Sequence, residues 1–428
     1  GVVNGEANDD DSDSRTAPDG DGSPADSNVL WVAPRVWVGG GAPDANAWQQ
    51  ANNWSPVGVP VVTDAVRIPG ATPACNIRTA LSNAVCASLD LQIGGSLTLE
   101  ATRTLSINRA FTLNGTWSAE ADSTVEFSGS TQINIPGATY YNLLITNTGT
   151  SGVNAVGGIT LNGSLTVENG ATMGVTGALT LSVARDFILN GSGSFSPGGS
   201  AVVFNGSTLE QTLRSNTASK TFTFNHLTIS NTFGNGASVN LTTGGTATCN
   251  VAGNFTVTSG ARFNAGDTSL IAGATVTNLN VAGNWALNGT GDFDKSPTAG
   301  TVTLNGTTAT QTISSDNAAG KTFRFHSLTI GNTTAGGVQT SVAGAGLPTM
   351  ILTGTLSVAS GRRLDVSVDQ PTTIRLAGNW SQGGVFSATG STVVFNGTGN
   401  QNITTVANFN IVDVDRTGEV GGTQLSAL

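Results

Sequence analysis

Residues 279–285 read Leu-Asn-Val-Ala-Gly-Asn-Trp: an aliphatic pair, a tight small or polar turn, and an aromatic six residues after the first aliphatic. The same phrase returns at residues 105–111, 181–187 and 374–380. Four copies of one phrase in a single chain indicate an internal repeat. A repeat decides the architecture before any other argument, because its period sets how the chain buries its apolar residues.

Two further phrases follow each copy in constant order. The first has the form V-x-[FL]-x-G and occurs at residues 125–129, 202–206, 302–306 and 393–397. The second has the form aromatic-x-x-[LV]-x-[IV] and occurs at residues 140–145, 224–229, 325–330 and 409–414. These three anchors predict four imperfect repeats, each of which buries its apolar face against its neighbours.

The composition of the 428-residue chain favours strands over helices. Charged residues make up 10%, against roughly 25% in a typical globular protein. No window shows the spacing of a long amphipathic helix. Runs such as residues 301–304 (Thr-Val-Thr-Leu) and 221–224 (Thr-Phe-Thr-Phe) alternate with the period of a strand. The sequence therefore predicts an all-β protein.

The charge of the chain argues against a nucleic-acid partner. The formal net charge is −10 and the isoelectric point is near 4.5, whereas nucleic-acid binding needs a basic footprint. No apolar run is long enough for a membrane-spanning helix. The chain begins at Gly1 without a visible signal peptide, so we expect a processed mature end or an incomplete source sequence.

Two repeat architectures compete. A unit of about 90 residues would suit an immunoglobulin-like sandwich, and Asn-Gly pairs suit both hairpins and the corners of a parallel coil. The aromatics of the first anchor lie 76, 98 and 95 residues apart, without linkers. This uneven spacing favours one continuous right-handed parallel β-helix, or β-solenoid. Coils of roughly 20–30 residues give about fourteen coils, with the anchor side chains stacked in columns inside.

The chain divides into three predicted segments: an acidic N-terminal arm (1–29), a Trp-rich N-terminal cap (30–90) and a β-solenoid repeat domain (91–428). The cap region holds Trp31, Trp37, Trp48 and Trp54. Open solenoid ends must be covered to prevent aggregation, so these aromatics predict a cap rather than a sugar-binding platform. The last repeat is cut short after its third anchor. This predicts an uncovered end able to stack on another copy, unless sequence beyond residue 428 is missing.

The acidic arm carries alternating aspartates. Alternating oxygen ligands on a loop suit Ca²⁺, although the usual loop glycine and closing glutamate are absent, so a simple acidic tail is the alternative. We also expect the arm to dock against another chain or an ion. The candidate calcium ligands are Asp9, Asp11, Asp13, Asp19, Asp21 and Asp26.

The three cysteines carry one structural prediction. Cys75 and Cys86 lie close in sequence at the entry to the repeats, which permits a disulfide if the protein is exported. Cys249 stands alone in a strand-like run and is expected to be a small buried hydrophobe. None of the three has the spacing of a zinc site.

The phrases at residues 378–380 (Gly-Asn-Trp) and 390–403, together with the opening stretch 37–69, resemble secreted bacterial parallel β-helix proteins of the adhesin and surface-fibre type. The resemblance covers roughly residues 37–415. It implies the β-helix fold, export and an extracellular or cell-surface role. It transfers no catalytic residue to this chain, because that class is defined by repeats rather than by a site.

Parallel β-helices also include polysaccharide-cleaving enzymes, which need paired carboxylates on one face. Asp292 and Asp294 would share a face, but the other repeats hold serine or valine there. His226 and His326 stand in different registers before the third anchor, so we expect them on opposite faces. No catalytic residue is therefore assigned, and no enzyme is expected.

These patterns predict an extracellular structural protein, a surface fibre or filament subunit that assembles head-to-tail through the solenoid ends and the N-terminal arm. The expected partner is thus a second copy of the chain. The first alternative is a monomeric adhesin or stalk segment that binds a surface or a glycan. The second is a β-helix polysaccharide lyase or hydrolase. Calcium is the one cofactor considered.

Overall fold

The computed structural model describes residues 2–3, 31–234, 236–241, 245–264, 275–294, 300–317, 319–343, 345–405, 409–415 and 424–427. The protein is all-β and forms a parallel β-solenoid of about 14 turns, which confirms the predicted fold class. The one helix in this part of the chain is a 3-10 turn, Ala51–Asn53. The chain divides into two compact units, Gly1–Gly129 and Ser130–Leu428.

In the first unit, the larger sheet contains five parallel strands, with a short antiparallel strand, Trp54–Ser55, on Arg35–Trp37. A smaller parallel sheet covers other sides of the same turns, and Val2–Val3 pairs antiparallel with Trp31–Val32. The larger sheet consists of Arg35–Trp37, Ala65–Ile68, Ala84–Leu91, Thr104–Leu113 and Thr124–Phe127. The smaller sheet consists of Cys75–Ile77, Ser96–Leu99 and Thr116–Ala119.

In the second unit, a complete turn contributes three strands, each to a different parallel sheet. We name the sheets by their described strands. The four-strand sheet contains Ile133–Ile135, Val153–Ala155, Thr172–Val175 and Ser194–Ser196. The seven-strand sheet contains Asn142–Ile145, Leu165–Val167, Phe187–Leu189, Gln211–Ser215, Ala237–Leu241, Arg262–Asn264 and Asp292–Asp294.

The three remaining sheets of this unit extend to its later turns. The eleven-strand sheet contains Ala138–Tyr140, Ile159–Leu161, Thr180–Val183, Ala201–Phe204, His226–Ile229, Phe255–Val257, Trp285–Leu287, Gln311–Ser315, Val338–Val342, Arg363–Asp365 and Val385–Ser387. The nine-strand sheet contains Ser219–Phe224, Gly245–Val251, Thr275–Val281, Thr301–Leu304, Ser327–Ile330, Leu356–Val358, Trp380–Gln382, Asn402–Thr405 and Gln424–Ala427. The five-strand sheet contains Thr322–Phe325, Thr349–Leu352, Thr373–Leu376, Thr392–Phe395 and Ile411–Val414.

Alternation along each strand explains the core. In Thr301–Leu304 the side chains of Val302 and Leu304 are fully buried, while the two threonines stay partly exposed. The turn length varies, since Ile133 pairs with Val153 and Val251 pairs with Val281. Burial of apolar area at about 25 cal/mol per Å² stabilises such a core. The loops absorb the differences in length.

The repeats do not stack on themselves. Counted over the strands described above, each copy of a phrase recurs eleven strands after the previous one, whereas a turn contains three. Equivalent aromatics therefore fall on successive sheets: Phe187 on the seven-strand sheet, Trp285 on the eleven-strand sheet and Trp380 on the nine-strand sheet. All three are buried. The anchors are inner residues stacked on apolar side chains of adjacent turns, as predicted; Trp285, for example, lies between Phe255 and Ile313. Equivalent anchors of different copies, however, belong to different sheets, because any apolar side chain of suitable size can follow any other inside the coil.

The strand that carries the third anchor of the fourth copy is exposed. All four residues of Ile411–Val414 are exposed, with Val412 at 48% and Val414 at 52%. This strand pairs on one side with Thr392–Phe395, and its other edge has no partner within the described strands. The prediction of a buried third anchor is therefore wrong for Val412 and Val414, since nothing described lies beyond the strand to cover them, whereas Phe409 of the same anchor packs against Trp380.

Candidate functional site

The predicted calcium ligands Asp9, Asp11, Asp13, Asp19, Asp21 and Asp26 lie outside the described residues. Within the described part of the chain, no group of three or more His, Cys, Asp or Glu side chains is placed to hold a metal ion. The calcium site thus remains a prediction for the arm alone.

The three cysteines are free and buried. Cys75 and Cys86 lie on different sheets of the first unit, and the predicted disulfide between them is not formed in this structure. Burial raises the pKa of each thiol, that of Cys249 to about 12. Because the thiolate is the nucleophile, native cysteines of this kind are inert.

Three tryptophans of the cap region belong to the core. Trp37, Trp48 and Trp54 are at most 1% exposed and pack edge to face, with ring centroids 5.0 and 4.8 Å apart. The indole N–H of Trp37 donates to Pro73 O, and that of Trp54 donates to Trp48 O, both at 2.7 Å. None of the three offers a free ring face on which a sugar could stack.

The carboxylate pair considered for catalysis is not a site in the described residues. Asp292 is partly exposed and forms an ion pair with Arg324, with 3.4 Å between Oδ1 and Nη1. The side chain of Asp294 lies outside the described set. The carboxylate of Asp292 is thus engaged in a partly solvated ion pair, which is a structural contact.

The two histidines form no shared site. His226 belongs to a strand of the eleven-strand sheet, whereas His326 precedes a strand of the nine-strand sheet. Nδ1 of His226 accepts a hydrogen bond from Asn254 N–H at 3.0 Å, and Nδ1 of His326 lies 3.0 Å from Thr353 Oγ1. Each ring thus joins its own turn to the next one.

One shallow concavity of about 530 Å³ lies in the second unit. Asp316 and Asp369 are both exposed, and Asp316 accepts a hydrogen bond from Gly289 N–H. Hydroxyl-rich walls suit a hydroxylated ligand, but neither carboxylate is shielded from water as the general acid of a glycosidase is. The lining residues are Asn288, Ser314, Ser315, Asp316, Ser341, Val342, Ala343 and Asp369. Sequence reasoning missed this concavity because its walls come from separate turns.

Sequence reasoning also missed a buried polar motif, which we name the amide clamp. It consists of a glutamine four or five residues after a glycine at a coil corner: Gln211 after Gly206, Gln311 after Gly306 and Gln401 after Gly397. Each glutamine Oε1 accepts the N–H of that glycine, and each Nε2 donates to two backbone carbonyls of the preceding turn. The recurring Asn-Gly pairs followed by glutamine could have revealed the motif.

Two lysines close the corner turns in a similar way. Nζ of Lys220 donates to Gly191 O at 2.9 Å and to Gly193 O, and Nζ of Lys321 donates to Gly289 O and Gly291 O. Burial lowers the pKa of both ammonium groups. These cations are engaged with the backbone and not presented to a ligand.

The fold and these surfaces define a repeat-built β-solenoid. The sequence profile of a family described as a domain of unknown function (DUF8693) matches residues 36–125. Neither the curated proteins nor the solved structures contain a significant match to this chain. No helix among the described residues is long and apolar enough to cross a membrane.

Proposed function

We propose that this protein is an extracellular structural protein whose copies assemble head-to-tail into surface fibres. The observation that carries the proposal is the strand Ile411–Val414. Its apolar side chains are about half exposed, and its outer edge lacks a partner within the described residues. An exposed apolar edge strand is a template for pairing with another chain.

A parallel solenoid is suited to such growth. A strand from a second copy would continue the backbone ladder and cover Val412 and Val414 in the same step. A contact between two different surfaces of identical chains generates filaments when its rotation does not close into a ring, and end-to-end stacking along a solenoid is of this open kind. The acidic arm, residues 1–29, is the proposed second contact. The extracellular assignment rests on the resemblance to secreted β-helix proteins.

A structural role also agrees with the chemistry of the site candidates. Asp316 and Asp369 are solvated, Asp292 is paired with Arg324, and the two histidines bridge adjacent turns. These arrangements support a non-enzymatic protein. The alternative of a polysaccharide lyase or hydrolase would rest on the two aspartates of the concavity.

The test is negative-stain electron microscopy of the concentrated full chain beside three variants. We expect filaments from the full chain, and short particles from Val412→Lys and from the chain lacking residues 1–29. The matched control is Val368→Lys. Val368, in a bend outside the strands, is 47% exposed, and Val412 is 48% exposed, so both changes add one charge at an equally exposed valine. Filaments that persist in Val412→Lys, or a full chain that stays monodisperse at every concentration, would refute the assembly.

A monomeric adhesin is the second candidate, and the concavity around Asp316 favours it. Its hydroxyl and carboxylate groups could bind the hydroxyls of a surface glycan. A glycan array probed with the full chain and with Ser341→Trp, which should fill the concavity, tests this function. Glycan binding lost in the variant, from a chain that remains monomeric, would replace the fibre proposal.

A further inference from the structure

Two register positions on the outward side of the nine-strand sheet carry only hydroxyl or amide side chains along eight of its strands. Eight consecutive strands place a hydroxyl or amide at the same register position. None of these side chains is buried. They form the central rank: Thr223, Asn250, Asn280, Thr303, Thr329, Ser357, Ser381 and Thr404.

A second rank lies two residues earlier on or beside the same strands and also contains only hydroxyls and amides. Its members are Thr221, Thr248, Asn278, Thr301, Ser327, Thr355, Asn379 and Asn402. We call the two ranks together the hydroxyl–amide face. Strands stack about 4.8 Å apart and rise about 3.3 Å per residue, so the face is about 34 Å long with ranks about 6.6 Å apart.

Hydrogen bonds between turns hold this face in order. Nδ2 of Asn280 donates to Oδ1 of Asn250 at 2.9 Å in the central rank. In the second rank, Oδ1 of Asn278 accepts the N–H of Thr301 at 3.0 Å. Side chains tied to a regular backbone lose little further freedom on binding, which is the condition for recognition of an equally regular surface.

The uniformity of the face does not follow from the sequence repeat. Because copies rotate by one sheet, the residues equivalent to Thr303 in the neighbouring copies are Val203 on the eleven-strand sheet and Val394 on the five-strand sheet. Likewise, Arg375 on the five-strand sheet is equivalent to Asn280. Some equivalent positions on other sheets do keep a hydroxyl, as Ser182 and Thr228 on the eleven-strand sheet show. Valine and arginine, however, do not occur in either rank of the nine-strand sheet.

The face also lacks charge. In the nine strands the one charged residue is Lys220, and its ammonium group is held by the carbonyls of Gly191 and Gly193. The whole chain nevertheless carries a net charge of −10. An uncharged face on an acidic protein complements an uncharged occupant and offers no attraction to ions, lipid headgroups or nucleic acid.

We propose that the hydroxyl–amide face binds the surface of crystalline ice. An ice face presents uncharged water molecules in a two-dimensional repeat of similar scale, and the two ranks can hold a matching layer of ordered water. Waters that bridge polar groups cost little free energy to immobilise. A soluble sugar instead calls for a concave site, and the face is an open sheet surface. The proposal holds for a single copy and does not depend on the assembly described above.

The test is inhibition of ice recrystallisation, together with thermal hysteresis, by the purified full chain. We expect both activities in the full chain and their loss in Thr303→Lys/Thr329→Lys, which places two ammonium groups in the middle of the face. The matched control is Thr349→Lys/Thr373→Lys, the same changes on adjacent, paired strands of the five-strand sheet. This control should retain both activities.

Circular dichroism shows whether each variant is folded, and Ser381→Tyr, at an exposed position, repeats the test should the lysine variant not fold. The proposal is overturned if the full chain affects ice no more than an inert protein at equal concentration. Equal loss of activity in the two lysine variants would overturn it too. The proposal would also be overturned if the full chain bound crystalline cellulose, lost that binding in Thr303→Lys/Thr329→Lys, and had no effect on ice.

Discussion

Gln311 shows how one polar side chain can hold a coil corner in an apolar interior. Its Oε1 accepts the N–H of Gly306 at 2.7 Å and Nδ2 of Asn332 at 3.0 Å. Its Nε2 donates to Val281 O at 2.9 Å and to Gly283 O at 2.6 Å. Every hydrogen-bonding atom of the buried amide is used, and buried polar groups are tolerated under this condition.

Gln311→Leu should destabilise the protein by about 2–4 kcal/mol, because it leaves the buried Gly306 N–H without its acceptor. Urea denaturation followed by tryptophan fluorescence measures the change. The control is Gln132→Leu, because Gln132 is exposed and should change stability by less than about 0.5 kcal/mol. Equal effects of the two substitutions would contradict the role of the amide clamp.

The buried thiols give a second prediction at the residue scale. Because burial raises the pKa of Cys75, Cys86 and Cys249, the native protein should not react with an aromatic disulfide reagent at pH 8. After denaturation without reductant, all three thiols should react. A count of one thiol would instead support the Cys75–Cys86 disulfide.

At the scale of elements, charged residues link the corners of successive turns in the first unit. Arg78 follows one strand of the smaller sheet and Glu100 follows the next; Nη1 of Arg78 lies 2.9 Å from Oε1 of Glu100. Arg78 also holds both carboxylate oxygens of Asp44 at 3.1 Å. The bonds from Arg78 lower the pKa of Asp44. Burial raises the pKa of Glu100, but hydrogen bonds from Thr79 and Arg78 leave it lowered.

Arg78→Met should therefore destabilise the protein at pH 7 by about 1 kcal/mol, a modest value because the groups are partly solvated. A depressed carboxylate pKa stabilises the fold above the unfolded pKa, near 4, and this contribution is lost as the pH falls through the folded value. Urea denaturation from pH 7 to pH 3 should show the difference from the natural chain closing below about pH 4. Arg67→Met, at a more exposed ion pair, should show little difference at either pH. If the natural chain and Arg78→Met differed in stability by the same amount at every pH, the link between these ion pairs and pH-dependent stability would be contradicted.

At the scale of the whole molecule, the repeat and the turn have different periods. Successive copies of a phrase lie eleven strands apart, whereas a turn contains three strands. Because eleven is not a multiple of three, no sheet is built from copies of one phrase alone. This mismatch lets four similar repeats present different outward chemistry on each side. The nine-strand sheet is uncharged apart from Lys220, whereas the five-strand sheet exposes Arg324 and Arg375.

The acidic arm, residues 1–29, is predicted to bind Ca²⁺ in the intact chain. Calorimetric titration with Ca²⁺ should show binding to the full chain and its loss when residues 1–29 are removed, because the candidate oxygen ligands all lie there. The thermal unfolding of the remaining chain should not change on removal of the arm. Equal calcium binding by both proteins would place the ion elsewhere and exclude the arm as its site.

The amino-acid sequence was sufficient for the all-β class, the parallel solenoid, the number of coils and the buried aromatics such as Trp285. These properties follow from alternation and turn chemistry, which act over a few neighbouring residues. The sheet on which each copy lies, the partners of Gln311, the concavity around Asp316 and the hydroxyl–amide face required the folded structure. Each depends on which residues of successive turns meet, and loops of varying length set that register.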